Sequence, residues 1–284
     1  MNSMAAAGYF DNGLPYNRYG HGPRTLVVFQ GLLFENKPMP ARLSNLFPRT
    51  YGFLEDEYTT WIVLRKPSLP AGYTLRDMSD DYAVAVRRQF GQAVDLIGIS
   101  TGGSIAQHFA ADHSDLVRRL VLHSSAHTLS KAGKASQLRL EHLAQERRWK
   151  EAYSETFHFM SDRGGSRKLT AEAAVWLESL FAGWLMTPDD PSTLVVTIEA
   201  EDKHDFKGRL GEIAAPTLVV AGDSDPFYDA ALFRETAAGI PNAKLVLYEG
   251  MGHPAAGSRF QRDVREFLLA GAERQTAEAA FSAA

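Results

Sequence analysis

Short apolar runs and longer amphipathic stretches alternate along the first half of the chain. The apolar runs predict buried strands at residues 24–30, 59–64, 94–97 and 116–123, and helical periodicity predicts helices around 43–47, at 79–90 and from Gly102 onward. Parallel strands need a crossover connection between them, and this connection is usually a helix. The alternation therefore predicts an α/β fold with a mostly parallel sheet and helices on both faces.

The ends of this pattern add further elements. Residues 8–20 predict a hairpin, because Asp11-Asn12-Gly13 has the composition of a turn. In the predicted helix at 79–90, Asp80 and Asp81 are expected in the first turn and Arg87 and Arg88 near the end, the order that the helix dipole favours. Towards the C-terminus, strands are expected at 217–221 and 244–248, helices at 228–238 and 259–269, and a loose tail at 271–284.

Between residues 129 and 211 the pattern is helical without a strand. Residues 134–157 have the charge density of an exposed helical face, and residues 170–186 predict a sharper amphipathic helix behind a Thr170 cap. Three of the four tryptophans, Trp149, Trp176 and Trp184, lie in this segment. They are either the core of the insertion or an apolar surface over the carboxyl edge of the sheet, where ligands bind in open α/β sheets.

Composition and charge exclude several classes of function. The chain has 284 residues, of which 45% are hydrophobic and 23% charged, as in ordinary globular proteins. A net charge of −4 gives no electrostatic basis for binding nucleic acid, and no apolar run is long enough to span a membrane. The absence of cysteine excludes disulfides and a thiol nucleophile. Since Met1 to Gly8 lacks the basic residues of a signal peptide, we expect a cytoplasmic protein.

The candidate chemistry begins at Ser100. Gly98, Ser100 and Gly102 form a GxSxG motif between a predicted strand and a predicted helix. In this motif a serine occupies a strained turn that exposes its hydroxyl, and the flanking glycines allow a backbone approach that a Cβ would block. The motif alone is weak, but its position between strand and helix predicts a nucleophile.

A serine hydroxyl needs a base, and the base needs a carboxylate to fix its tautomer. Of the nine histidines, His253 fits best, because it follows the last predicted strand in a glycine-rich loop. A metal site at His123 and His127 is disfavoured because the two are not on one helix. For the carboxylate, Asp225 is preferred over Asp223, since Pro226 favours an extended conformation at Asp225 that would point its side chain into the site.

The order Ser100, Asp225, His253 is the one expected of the α/β-hydrolase fold. From Asn12 to Leu269 the chain resembles that superfamily, and more closely its soluble bacterial enzymes with a helical cap after the sixth core strand. The resemblance implies a core at 1–128 and 212–270, a cap at 129–211, and a tail at 271–284. It also implies an oxyanion hole made of the backbone N–H groups of Thr101 and Leu32, although Gln30-Gly31 replaces the usual His-Gly.

These residues predict acyl transfer to water on a small or medium apolar ester or lactone, with neither an organic cofactor nor a metal. The serine excludes relatives whose elbow carries a carboxylate nucleophile, such as dehalogenases and epoxide hydrolases. The same residues also serve C–C bond hydrolases of ring-cleavage products and cofactor-free perhydrolases, and fold analogy does not separate these activities. A non-catalytic ligand-binding receptor is a further alternative, but it would have no need of all three residues. The sequence leaves the oligomeric state open.

Overall fold

A single eight-stranded sheet organises the protein in a computed structural model that describes residues 6–40, 49–161, 188 and 190–270. The strands are β1 (Ala6–Tyr9), β2 (Pro15–Tyr19), β3 (Arg24–Phe29), β4 (Tyr58–Val63), β5 (Val94–Ile99), β6 (Val117–His123), β7 (Thr217–Gly222) and β8 (Ala243–Tyr248). Their order in the sheet is β1-β2-β4-β3-β5-β6-β7-β8. The hairpin strands β1 and β2 pair antiparallel, β2 pairs antiparallel with β4, and all the other pairs are parallel. The predicted fold class is therefore confirmed, and the eight strands of the described residues agree with the predicted strands within two residues at most termini.

Seven α-helices of the described residues connect and cover these strands. They are α1 (Leu75–Phe90), α2 (Thr101–Asp112), α3 (Lys131–Gln145), α4 (Trp149–Ser161), α5 (Ser192–Asp202), α6 (Ala230–Gly239) and α7 (Ser258–Leu269). Buried apolar side chains form one large cluster on the sheet face that packs against α1, α2 and α6, and a second cluster on the face that packs against α7. Strands β3, β5, β6 and β7 contribute to both clusters, which explains their nearly continuous apolar sequence. No helix in the described ranges is long and apolar enough to cross a membrane.

The prediction for helix α1 was wrong at its N-terminus. The helix begins at Leu75 rather than at residue 79, so Asp80 and Asp81 lie beyond its first turn. Thr74 and Asp77 form a capping box, in which the Thr74 side chain accepts from the Asp77 N–H and the Asp77 side chain accepts from the Thr74 N–H. This reciprocal pair satisfies two helix-end donors and fixes the start one turn earlier than the apolar periodicity indicates.

Helices α3, α4 and α5 lie between β6 and β7. The single helical stretch predicted at 134–157 is two helices, because the chain turns between Gln145 and Trp149, where Arg147 has a φ of 56°. The three helices share a small apolar cluster of their own, which includes Leu140, Ala152 and Leu194. The helix predicted at 170–186, with Trp176 and Trp184, the helix predicted around 43–47 and the tail at 271–284 lie outside the described residues. The limits proposed for the cap and the core remain predictions.

A buried carboxylate ties the sheet together at the end opposite to Ser100. The Asp95 side chain is fully buried at the start of β5. It accepts hydrogen bonds from Nε and Nη2 of Arg118 at 2.9 and 3.0 Å. It also accepts from Arg24 at 3.0 Å and from the Tyr58 hydroxyl at 2.8 Å. A buried charge of this kind is tolerated only because hydrogen bonds and opposite charges surround it. These contacts join β3, β4, β5 and β6 at the amino edge of the sheet and leave the carboxyl edge for chemistry.

Candidate active site

Ser100 occupies the turn between β5 and α2. Its backbone has φ 52° and ψ −127°, a region that costs a non-glycine residue about 1–3 kcal/mol. Hydrogen bonds on both sides hold this strained conformation: the Ser100 N–H donates to the His123 carbonyl at 3.0 Å, and the Ser100 carbonyl accepts from the Gly103 N–H at 2.7 Å. Ser100 is half-buried, whereas the first turns of α2 behind it are buried. The hydroxyl is thus presented at the surface of a rigid scaffold.

The glycines of the motif are required by close packing. A Cβ on Gly98 would lie 2.6 Å from the Ala106 Cβ, and a Cβ on Gly102 would lie 2.0 Å from the Phe29 carbonyl oxygen. Both distances are well below van der Waals contact, and a carbonyl oxygen of a central strand cannot move aside. Any side chain at these positions would push α2 away from β3 and β5 and displace Ser100.

The structure brings Ser100, His253 and Asp225 into one hydrogen-bonded chain. The Ser100 Oγ lies 3.0 Å from His253 Nε2, and His253 Nδ1 lies 2.6 Å from Asp225 Oδ2. The side chain of His253 is 7% exposed and that of Asp225 is fully buried. Because Asp225 faces Nδ1 at close range, Nδ1 carries the proton and Nε2 is left as the acceptor for the serine hydroxyl.

The two aspartates of the loop after β7 have different surroundings. Asp225 Oδ1 accepts from the backbone N–H groups of Phe227 at 2.8 Å and Tyr228 at 3.2 Å, which leaves Oδ2 for His253. The exposed Asp223 accepts from Ser224 Oγ and from the Gly250 N–H, so it stabilises the two neighbouring turns. Of the two, only Asp225 contacts His253.

The end of β6 anchors the loop that carries His253. His123 is fully buried, and its Nε2–H donates to the Ala255 carbonyl at 2.6 Å while its Nδ1 accepts from the Tyr51 hydroxyl at 2.8 Å. The next residue, Ser124, has a φ of 48°, and its hydroxyl accepts from the Ala255 N–H at 2.9 Å. Both polar groups of Ala255, two residues after His253, are therefore fixed. No sequence pattern indicates this role for His123, which ends the apolar strand β6 as many polar residues end a strand.

Among the histidines whose side chains are described, only His253 forms a hydrogen bond with the Ser100 hydroxyl. His21 and His113 pair with Asp56 and Asp80, and His127 contacts Glu235. The His108 ring is tilted against His204 and edge-on to Phe206, His142 is exposed on α3, and the side chain of His158 lies outside the described residues. His123 and His127 do not converge, and the described part of the chain holds no group of three metal-ligating side chains.

Buried histidines make the fold sensitive to acid. Burial lowers the pKa of His123 to about 3, that of His204 to about 3 and that of His108 to about 4. Above about pH 7.5 these rings are neutral in both the folded and the unfolded chain. Below pH 6.5 the unfolded chain binds protons that the folded protein excludes, so the free energy of unfolding should fall by up to about 1.4 kcal/mol per pH unit for each fully buried ring.

Urea unfolding between pH 7 and pH 5.5 measures this loss, because ordinary Asp and Glu side chains, with pKa values of about 3.9 and 4.3, stay largely ionised in that range. The variant His204→Gln, measured in parallel, lacks one of these rings. Its free energy of unfolding should therefore decline less steeply with falling pH, by the contribution of that ring. An unfolding free energy that stays constant from pH 6.5 to pH 5.5 would contradict this prediction.

The two residues expected to supply the N–H groups of an oxyanion hole are both near Ser100, Thr101 as the next residue in the chain and Leu32 in the loop after β3. Thr101 is the first residue of α2, so its N–H has no partner within the helix. Leu32 follows Gly31, and a Cβ on Gly31 would be 3.3 Å from the Ser100 Cβ, so the loop after β3 passes directly beside the serine. The side chain of Gln30 makes no hydrogen bond within the described ranges, whereas its N–H donates to the Val63 carbonyl and its own carbonyl accepts from Arg65.

Two buried charged residues near the elbow were missed by the sequence analysis. Glu201 on α5 is fully buried and accepts from Thr101 Oγ1 at 2.6 Å, from Ser104 Oγ at 2.9 Å and from Gln137 Nε2 at 3.0 Å. It thereby links α5 and α3 to the first turn of α2. Arg65, two residues after β4, is 1% exposed and donates to the carbonyls of Gln30 and Gly31. No periodicity distinguishes these residues from exposed charges at helix and strand ends.

Aromatic side chains lie where the loops after β3 and β7 meet helix α4. Phe227 lies 4.9 Å from the His253 ring and 4.9 Å from Phe159 on α4, measured between ring centroids. Phe34, in the loop after β3, stacks on Tyr153 of α4 at 4.0 Å. Leu32, Phe34 and Trp149 pack against the small apolar cluster of the inserted helices. The loops after β3 and β7 therefore contact the inserted helices through apolar and aromatic side chains.

Comparisons with known proteins agree with this architecture. The sequence model of the alpha/beta hydrolase family matches residues 4–267. RutD of Klebsiella pneumoniae (strain 342), provisionally named a carbamate hydrolase, is 29% identical over 190 residues, which are 65% of this chain and 68% of that protein.

Solved structures give the same result for the fold. The enol-lactonase of Burkholderia xenovorans LB400 superposes with a TM-score of 0.71 at 17% identity, over 93% of this chain and 99% of the lactonase. The esterase RhEst1 of Rhodococcus sp. ECU1013 superposes with a TM-score of 0.70 at 18% identity, over 94% of this chain and 99% of the esterase. At these identities the likeness shows a common fold.

Proposed function

Because the chain belongs to the alpha/beta hydrolase family, we propose that it is a serine hydrolase that cleaves small or medium apolar carboxylic esters or lactones through an acyl-enzyme. The observation that carries this proposal is the continuous hydrogen-bonded chain from Ser100 Oγ through His253 to the buried Asp225. A nucleophile, a base and an orienting carboxylate in this sequence of contacts are what acyl transfer to a serine requires.

In the first half of the reaction, His253 Nε2 removes the proton from Ser100 Oγ as the oxygen attacks the ester carbonyl carbon. The carbonyl oxygen becomes an oxyanion, which the N–H groups of Thr101 and Leu32 stabilise. Asp225 stabilises the imidazolium that forms on His253 and does not itself take the proton. The tetrahedral intermediate collapses, and the leaving alcohol takes the proton back from His253 Nε2.

In the second half, a water molecule replaces the alcohol. His253 Nε2 removes a proton from this water, which attacks the acyl carbon of the Ser100 ester. Collapse of the second tetrahedral intermediate releases the carboxylic acid and returns the proton to Ser100 Oγ. The same three residues and the same two N–H groups serve both halves, so no organic cofactor enters the scheme.

The surroundings of Ser100 support an apolar acyl group. Phe34, Tyr153, Phe159 and Phe227 form aromatic contacts on the side of the inserted helices, and Leu32 belongs to the adjoining apolar cluster. Such a surface binds alkyl and aryl groups by excluding water and offers few partners for charged ones. We therefore expect uncharged substrates to be turned over faster than substrates with a second carboxylate.

A panel of p-nitrophenyl esters with acyl chains of two to twelve carbons, a γ-lactone and a ring-cleavage dienone tests this proposal. We expect turnover of the esters, best for short and medium chains, and a single adduct on Ser100 when the enzyme is treated with a fluorophosphonate and analysed by peptide mass spectrometry. Turnover of the dienone alone would instead favour C–C bond hydrolysis. An adduct on another residue, or ligand binding without turnover of any substrate, would contradict the proposal.

A further inference from the structure

We propose that Arg65 is a positioning residue for the oxyanion hole, which holds and polarises the Gly31–Leu32 peptide from the side opposite to the substrate. Arg65 Nη2 donates to the Gly31 carbonyl at 2.9 Å, and Arg65 Nη1 donates to the Gln30 carbonyl at 3.0 Å. The Gly31 carbonyl and the Leu32 N–H are the two ends of one peptide unit. The inference rests on the proposed function, since it assigns a role within that acyl transfer.

The fork of the guanidinium fixes the direction of the Leu32 N–H. The two Nη groups of Arg65, which lie in one plane, donate to the successive carbonyls of Gln30 and Gly31. The peptide planes between Gln30 and Leu32 therefore cannot rotate without breaking a hydrogen bond. A peptide plane is rigid, and a fixed carbonyl therefore also fixes the N–H on its other side. Gly31, which lies beside Ser100, has no side chain of its own to restrain this loop.

The charge of Arg65 also favours binding of an oxyanion at the Leu32 N–H. A donor at a carbonyl strengthens the N–H at the other end of the same peptide as a donor, because hydrogen bonds in a chain polarise one another. From covalent and hydrogen-bond lengths, the guanidinium would lie roughly 7–8 Å behind an oxyanion bound to the Leu32 N–H. With an effective dielectric constant of about 20, attraction across that distance corresponds to a rate factor of roughly 10–100.

The surroundings of Arg65 suit a role in the reaction better than a role in stability. Arg65 is 1% exposed, its Nε has no hydrogen-bond partner in the described ranges, and no described carboxylate lies within 4 Å of its nitrogens. A buried cation without a close counter-ion destabilises a fold. Burial lowers the pKa of the Arg65 guanidinium. Glu201, which lies farther away, is the one carboxylate of the described residues whose charge acts against that shift. A negative charge that forms on the substrate oxygen would supply the missing partner in the transition state.

The test compares Arg65→Lys, Arg65→Gln and Arg65→Met with the wild-type enzyme. For each, kcat and KM are measured with p-nitrophenyl acetate, and inhibition constants are measured for an alkyl trifluoromethyl ketone and for the matching secondary alcohol. The ketone forms a tetrahedral oxyanion adduct with a serine, whereas the alcohol occupies the same surface without an oxyanion. The ratio of the two inhibition constants therefore reports on the oxyanion hole alone.

We expect Arg65→Gln and Arg65→Met to lower kcat about 10- to 100-fold with KM within about threefold, and to lower the ketone-to-alcohol discrimination by the same factor. Arg65→Lys keeps the charge and should retain at least a tenth of the discrimination. Asp95→Asn, at the opposite end of the sheet, is the control for lost stability and should leave the discrimination unchanged.

Wild-type discrimination in folded Arg65→Gln or Arg65→Met would overturn the inference. If neither neutral variant folds, Arg65→Lys decides: less than a tenth of the wild-type discrimination, or a loss confined to KM, would overturn it. Failure of the proposed function has a different signature, because it would show as undiminished hydrolysis by Ser100→Ala whatever the Arg65 variants do.

Discussion

Replacing Ser100 with alanine should lower kcat/KM for p-nitrophenyl acetate by about 10⁴- to 10⁶-fold and abolish labelling by a fluorophosphonate. The variant keeps Cβ and removes only Oγ, the atom that lies 3.0 Å from His253 Nε2. Without it no acyl-enzyme forms, and any remaining turnover comes from water attacking a substrate held by the N–H groups of Thr101 and Leu32. Stopped assays with purified protein, corrected for spontaneous hydrolysis, measure this loss.

The fold should survive this substitution. Ser100 is half-buried, and the lost hydrogen bond is worth about 1 kcal/mol, so the thermal unfolding midpoint should stay within a few degrees of the wild-type value. Ser224→Ala, in the loop that carries Asp225, is the matched control, because Asp223 is the one hydrogen-bond partner of Ser224 Oγ among the described residues. Ser224→Ala should keep full activity and full labelling. Rapid hydrolysis by a folded Ser100→Ala enzyme would contradict the assignment of the nucleophile.

The strands and the elbow could be predicted because their causes are local. Apolar runs of six residues, such as Thr217–Gly222, are buried on both faces of the sheet, and their short length and β-branched residues favour a buried strand over a helix. The GxSxG turn depends on glycines that a single sequence displays directly. The start of α1 was predicted wrongly because the Thr74–Asp77 capping box outweighs the apolar periodicity that begins later.

The buried charges could not be predicted because their partners lie far away along the chain. Glu201 bonds to Thr101 and Ser104 across about a hundred residues, and Arg65 bonds to backbone carbonyls, which have no sequence signature. Both sit at the ends of elements, where exposed charges are common. His123 is a similar case, since only the return of the chain at Ala255 turns a strand-end histidine into an anchor. Long-range polar contacts, rather than apolar patterning, complete the site.

Replacing Asp225 with asparagine should lower kcat about 10³- to 10⁴-fold without unfolding the protein. Asp225 Oδ1 accepts from the N–H groups of Phe227 and Tyr228, so the carbonyl oxygen of an asparagine would be held at that position. The amide nitrogen would then face His253 Nδ1 and donate to it, because an NH₂ group cannot accept. The proton of His253 would move to Nε2, which would point a donor at Ser100 Oγ. The imidazole would be in the wrong tautomer to act as the base.

Asp223→Asn is the matched control, since it makes the same chemical change two residues away. Asp223 accepts from the Gly250 N–H and from Ser224 Oγ, and an asparagine carbonyl can accept both, so its kcat should stay within about threefold of wild type. Pre-steady-state release of p-nitrophenol from the two variants measures the acylation step directly.

Equal activity of the two would refute the role of Asp225. A large loss of activity in Asp223→Asn alone would assign the role of the carboxylate to Asp223 instead of Asp225. A loss confined to Asp225→Asn would mean that the carboxylate acts on His253, by setting its tautomer and by stabilising the imidazolium, because this substitution preserves size and both backbone contacts while it removes the charge and reverses one hydrogen bond.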